Sequence, residues 1–156
     1  MAQVTGICSQ SRESAEACAR RFNIPFVTTD LAALLDRKDV DAVDLCVLTA
    51  LHHAFAIQAA EADKHVIVEK PLTGYFGEPG DPEPIGDRVP RAKMQSGARK
   101  NVAAVREAVR RNRVTVGYAE NWVYAPPVEK LRRLIRVSGG AILDLRAMDS
   151  GRSRGR

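Results

Sequence analysis

Over its first seventy residues the chain alternates short apolar runs with helix-patterned segments, and this limits the fold more than any other feature. Residues 3–8 form a β-type run containing Val4 and Ile7. Residues 11–22 have helical spacing, with Ala15, Cys18 and Phe22 on one face. Asn23-Ile24-Pro25 ends that helix, because proline disfavours helix at the residue before it. Phe26-Val27 is a short strand, and Thr29 or Asp30 can cap a short helix over 31–36. Residues 42–48 follow, with Val43, Leu45 and Val47 alternating against Asp44 and Cys46. A helix from about 52 to 62 places Ile57 and Ala60 inward, and a compact strand covers 65–68. Strands alternating with helices of this length predict a parallel sheet with right-handed crossovers.

The alternation breaks at residues 73–92, where Gly74, Gly77, Gly80, Gly86, Pro79, Pro82, Pro84 and Pro90 crowd together. That density of breakers predicts a long loop without regular elements, a kind of loop that is usually functional or disordered. A helix over about 93–111 comes next, with Ala98, Val102, Val105 and Val109 as its apolar stripe. Arg99, Arg106, Arg110 and Arg113 lie on another face. Residues 114–119 read as a strand. Pro126-Pro127 suits the first turn of a helix carrying Val128, Leu131 and Ile135 inward, stopped by Gly139-Gly140. A last strand is expected over 141–145, then a basic tail over 151–156.

Length fits one ordinary domain: 156 residues can bury a real core. No apolar run approaches the roughly 20 residues of a membrane span. The N-terminal Met1-Ala2-Gln3-Val4 has no basic region leading into an apolar one, which argues against a secretory signal. Cys8, Cys18 and Cys46 are odd in number and lack zinc-finger or CxxC spacing, so they read as small apolar residues of a reducing compartment. The expected location is cytoplasmic, with no membrane partner. Charge is uneven: residues 1–78 hold 7 Lys/Arg and 11 Asp/Glu, and residues 79–156 hold 17 and 8. A basic second half suits nucleic acid, an anionic cofactor or a solvated face. No RNA-recognition, zinc-finger or basic-zipper pattern is present and aromatics are only 5% of the chain, so the solvated face is favoured over nucleic acid.

The most informative stretch is Asp63-Lys64-His65-Val66-Ile67-Val68-Glu69-Lys70-Pro71-Leu72, where a strand ends directly in Glu-Lys-Pro. In an open α/β sheet ligands bind beyond the carboxyl ends of the strands, so topology aims Lys70 at the site. Pro71 fixes the backbone beyond it and suits a cis bond. Upstream stands Leu48-Thr49-Ala50-Leu51-His52, and downstream Tyr118-Ala119-Glu120-Asn121-Trp122-Val123-Tyr124-Ala125-Pro126. In combination, over roughly residues 3–145, the chain resembles the Gfo/Idh/MocA family of NAD(P)-dependent oxidoreductases. That family often reads P-[NT]-x-x-H at one strand end and GKHVxxEKPL at the next.

The resemblance implies a Rossmann-like, doubly wound α/β domain over 1–120 and the start of an α+β second domain over 121–156. It implies hydride transfer between NAD(P) and the hydroxyl-bearing carbon of a sugar, polyol or related compound. Lys70 matches the lysine beside the nicotinamide and the substrate hydroxyl, where an ammonium can stabilise charge as hydride leaves carbon. Glu69 and Pro71 match its neighbours, Thr49 and His52 the loop lining the cofactor, and Asn121 and Tyr124 the nicotinamide end. Ser9, Ser11 and Arg12 follow the strand where the adenosine ribose is read. NAD sites usually present an acidic residue there, and none stands between Cys8 and Arg12, which tilts the expectation from NAD to NADP. Each position also has a plainer reading: Ser9, Ser11 and Arg12 as a helix cap and a solvated charge, His52 as a cap or a partly buried ring, His53 and His65 as structural. A metal site is not expected, because adjacent histidines do not face one way on a helix.

The departures from the family are as specific. Its strand and glycine-rich G-x-G-x-x-G turn, which hold the pyrophosphate, have no counterpart, and residues 3–8 already match the second strand. In the strand order 3-2-1-4-5-6 the missing strand is central. The histidine of the family's second domain has no counterpart either: the three histidines are His52, His53 and His65. Leu48 stands where the family has proline and Asp63 where it has glycine, each at a turn that needs special backbone angles. The chain therefore reads as a fragment of a longer enzyme with little or no turnover by itself. The alternatives are a non-enzymatic fragment that associates with an intact relative through its open sheet, and a basic nucleic-acid-binding module. A homo-oligomer is left open.

Overall fold

The computed structural model describes residues 2–120 and 122–139. They fall into two compact units, Met1–Ala119 and Glu120–Arg156. The first unit runs β1 (Gly6–Cys8), α1 (Arg12–Phe22), β2 (Phe26–Thr28), α2 (Leu31–Leu35), β3 (Ala42–Leu45), α3 (Thr49–Glu61), β4 (His65–Glu69), α4 (Ile85–Arg88), α5 (Arg91–Asn112) and β5 (Val116–Ala119). The second holds a 3-10 turn (Trp122–Tyr124) and α6 (Pro126–Ser138). The strand expected over 141–145, the basic tail and Asn121 lie outside the described residues.

All strand pairs are parallel, as the alternation predicts. β1 pairs with β2 in the register Ile7↔Val27, and β3-β4-β5 form a second sheet with Val43↔Val66 and Val66↔Val116. Among the described residues no strand joins β1 to β3. The two sheets thus occupy positions 3-2 and 4-5-6 of the expected order.

Local signals explain the element ends. Ser11 caps α1 by accepting a hydrogen bond from the Ser14 amide at 3.2 Å. Asp30, not Thr29, caps α2 through the Ala32 amide at 2.9 Å. Gly6 is needed for close approach, since a Cβ there would stand 2.7 Å from Cδ1 of Leu34 on α2. Asp63, at the family's glycine position, has φ +58°. α3 begins at Thr49 rather than about 52, because the strand before it stops at Leu45.

The core covers one face of β3 and β4. Val43, Leu45, Val66 and Val68 are buried with Ala56 and Ala59 of α3, Val105 of α5 and Leu34 and Leu35 of α2. Fully burying each of these larger aliphatic side chains contributes about 1.5–3 kcal/mol. The fully buried Ala56, Ala59 and Ala60 have no bulk beyond Cβ, which lets α3 pack closely. On the opposite face Asp44 is exposed and Ile67 is 45% exposed, so among the described residues a parallel sheet of a type usually covered on both sides is covered on one.

Three apolar positions on the expected helical faces are exposed. Phe22 is 61% exposed, with the Arg21 guanidinium 5.0 Å above its ring. Val102 is 41% exposed and Ala108 takes its place in the core. On α6 Leu131 is 43% exposed. The 73–92 segment also holds a regular element, the single turn of α4.

Candidate active site

Parallel pairing puts the carboxyl ends of all strands of a sheet on one edge, and most of the expected site residues follow those ends. Ser9, Ser11 and Arg12 follow β1. The Ser11 hydroxyl serves the α1 cap, and Arg12 is solvent-exposed with Glu16 at 3.7 Å. Thr49 opens α3 just beyond β3, with Leu48 before it at φ −61°. Glu69 ends β4 and is half-buried, and its Oε2 accepts a hydrogen bond from the Lys70 amide at 3.0 Å. Lys70 and Pro71 are exposed, and the bond between them is cis. Tyr124 is 69% exposed and belongs to the second unit, which is described separately.

His52 differs from the others. It is 1% exposed, and both ring nitrogens face main-chain carbonyls: Nδ1 that of Pro71 at 2.8 Å, Nε2 that of Val47 at 3.0 Å. His53 Nδ1 lies 3.4 Å from the Thr73 hydroxyl, and His65 Nδ1 accepts from the Thr115 amide at 2.9 Å. Among the described residues no three His, Cys, Asp or Glu side chains converge as a metal site.

Sequence reasoning missed the way the chain beyond Lys70 is tied down. Asn101 of α5 donates to the Gly74 carbonyl at 3.1 Å. The Tyr75 hydroxyl donates to Asp81, whose other oxygen takes Lys93 at 2.6 Å. Lys93 and Tyr75, together with the Glu78 amide, hold the Asp81 carboxyl down at about 2. The Asp81 carboxylate first, then Tyr75, push the Lys93 ammonium upward, and burial followed by Asp81 raises the Tyr75 phenol. The signal available in the sequence was Gly97, a helix-weakening residue in mid-helix, and it is where the Tyr75 ring sits. This packing borders an open cleft of about 490 Å³, lined by Pro71, Leu72, Thr73, Gln95, Ala98, Arg99, Val102 and Tyr118.

Comparison with known proteins agrees with this geometry. Residues 1–79 match the model of the oxidoreductase family with an NAD-binding Rossmann fold, Gfo/Idh/MocA. The chain belongs to this family. Levoglucosan dehydrogenase of Pseudarthrobacter phenanthrenivorans is 42% identical over 66 residues, which is 42% of this chain and 17% of that protein. The 1,5-anhydro-D-fructose reductase of Ensifer adhaerens is 29% identical over 95% of this chain and 47% of its own length. A solved levoglucosan dehydrogenase, in complex with NADH and levoglucosan, superposes with a TM-score of 0.65 at 27% identity. That superposition covers 86% of this chain and 30% of the other. The Gfo/Idh/MocA chain described here therefore spans less than half the length of these relatives.

Proposed function

We propose that this chain supplies the strand ends of a Gfo/Idh/MocA site for hydride transfer between a nicotinamide dinucleotide and the hydroxyl-bearing carbon of a sugar, polyol or related compound. The observation that carries this is Lys70, exposed at the carboxyl end of β4, the middle strand of a parallel sheet whose helix-covered face is buried. The residues fit the dinucleotide at its two ends. Lys70 and Glu69 stand at the nicotinamide end. Ser9, Ser11 and Arg12 would stand at the ribose end, where no acidic side chain lies between Cys8 and Arg12 and an arginine and serines suit a 2′-phosphate, which favours NADP over NAD. Among the described residues no glycine-rich turn cradles the pyrophosphate.

When bound, the dinucleotide accepts or donates the hydride. The Lys70 ammonium then donates a hydrogen bond to the reacting oxygen and offsets the negative charge that gathers there. The Glu69 carboxylate anchors the Lys70 amide. Residues 1–120 would be the cofactor domain and 121–156 the opening of a substrate and oligomerisation domain. Thr49 would line the cofactor, and Pro71 would fix the chain beyond Lys70. The chain by itself is expected to bind weakly and to turn over little. Titration of the purified chain with NADPH and NADH, followed through the resonances of residues 9–12 and Lys70, tests the reading. Unmoved resonances at millimolar dinucleotide would defeat it, and micromolar binding with substrate oxidation would defeat the inactive-fragment part.

The split sheet supports a second reading, a non-enzymatic fragment that associates with an intact relative through the free edges of β1 and β3. A strictly monomeric, well-folded chain in light scattering, alone and mixed with such a relative, would count against it. Nucleic acid is not favoured: Arg110 pairs with Glu107 at 3.0 Å and Arg111 with Glu61 at 2.9 Å, as on a solvated face. A cytoplasmic setting suits the three free cysteines. No helix among the described residues is long and apolar enough to cross a membrane.

A further inference from the structure

We infer that His52 is a positioning residue, a buried strap that fixes the direction of Lys70 by donating its ring N–H to the Pro71 carbonyl while its ring fills the gap between the β3 and β4 strand ends. This rests on the reading of Lys70 as the polar group of a hydride-transfer site.

The geometry is specific. Val47 lies two residues beyond the end of β3, and Pro71 two residues beyond the end of β4. These are neighbouring parallel strands, so their carboxyl ends lie side by side. Between their carbonyls sits one imidazole, carried by the first turn of α3, with Nδ1 at 2.8 Å from the Pro71 oxygen and Nε2 at 3.0 Å from the Val47 oxygen. His52 is among the largest fully buried side chains described. A polar ring so deep in the core is costly unless its N–H is engaged; a neutral imidazole has one N–H for the two carbonyls, and the shorter contact, to Pro71, is the one it donates to. Neither nitrogen is left for a ligand. The ring therefore acts through Pro71, which is bonded directly to Lys70.

The neighbouring contacts have the same target. His53 meets the Thr73 hydroxyl, and Asn101 donates to the Gly74 carbonyl. Residues 71–74 are thus gripped from α3 and from α5, and Lys70 is the last residue before the grip. A functional side chain on a strand end is aimed only as well as the main chain beneath it is held.

The first test uses the wild-type chain without ligand. The Nδ1–H of His52 should show a through-hydrogen-bond coupling to the carbonyl carbon of Pro71; its absence, or a coupling to Val47 alone, overturns the strap. The second compares His52→Phe and His52→Asn, with lysines carrying 13C-methyl labels. Phenylalanine fills the space without donating, and asparagine keeps one donor. In a folded His52→Phe chain the Lys70 methyl signal should shift and lose its response to NADPH, while residues 9–12 still respond. His52→Asn should restore that response, which a purely structural role does not require. A folded His52→Phe chain whose Lys70 signal matches wild type, with and without NADPH, overturns the proposal. If His52→Phe does not fold, the coupling and the His52→Asn response decide. If NADPH moves no resonance of the wild type, the functional reading fails, and the ligand-free coupling and Lys70 shift still decide the strap.

Discussion

Tyr75 fits Gly97 as a ring fits a socket: a Cβ on Gly97 would stand 2.8 Å from the ring's Cε2. The ring cannot simply swing away, because its hydroxyl is hydrogen-bonded to Asp81. In an open helix Gly→Ala would stabilise by about 1 kcal/mol. Here Gly97→Ala should instead destabilise by about 1–2 kcal/mol, the usual cost of overpacking. In a Tyr75→Ala background the same substitution should return to stabilising by about 1 kcal/mol. Urea unfolding of the four chains reads the change of sign.

Acid should release the loop at Asp81. Its carboxyl is held at about 2, first by Lys93, then by Tyr75 and the Glu78 amide. A depressed carboxylate contributes stability that is fully present above its unfolded value, near 4, and is lost as pH falls through the folded one. Limited proteolysis within 75–92 should therefore accelerate between about pH 4 and pH 2. Asp81→Asn should cleave readily already at neutral pH and lose that acid dependence.

Asp63→Gly should stabilise the chain. The residue has φ +58°, where a side chain is crowded and glycine is not. Its main-chain bond to the Ala60 carbonyl, at 3.1 Å, does not need the side chain. A gain of about 0.5–1 kcal/mol is expected, seen as a rise of a few degrees in Tm.

Lys70→Met should leave unfolding free energy within about 0.5 kcal/mol of wild type, because the side chain is exposed and packs no core. The NADPH-induced shifts at neighbouring Glu69 should nevertheless shrink. Equal shifts in both chains would remove Lys70 from the nicotinamide end.

Much of the fold was legible because period and punctuation act locally. Alternating Val43, Leu45, Val66 and Val68 announced strands buried on one face, and Asp63 in place of glycine announced a strained turn. Phe22 was misread because a helical stripe does not say how far along the helix its partner extends, and near the C-terminal end of α1 the ring meets Arg21 rather than the core. Val102 was misread because the N-terminal half of α5 faces the 73–92 segment and the cleft, not the sheet. That segment looked unstructured because its order comes from pairs distant in sequence, Tyr75 with Gly97 and Asp81 with Lys93, which no local pattern records. At the site, Lys70 could be found by its place at a strand end. The placement of His52 between two carbonyls depends on loops that meet only in the folded chain.

The hydrogen-bond ladder stops at β1 and resumes at β3. Residues 9–12 hang from one sheet and Lys70 from the other, joined among the described residues by the shared side-chain core, by the 3.2 Å bond from the Thr5 hydroxyl to the Asp39 carbonyl, and by Arg37, which lies over the Phe26 ring and whose carbonyl accepts from Lys64. Side-chain packing yields to sliding far more readily than a continuous ladder of main-chain bonds. The two ends of the proposed dinucleotide site thus sit on separate sheets, and among the described residues their spacing is set by side-chain packing rather than by one continuous main-chain ladder.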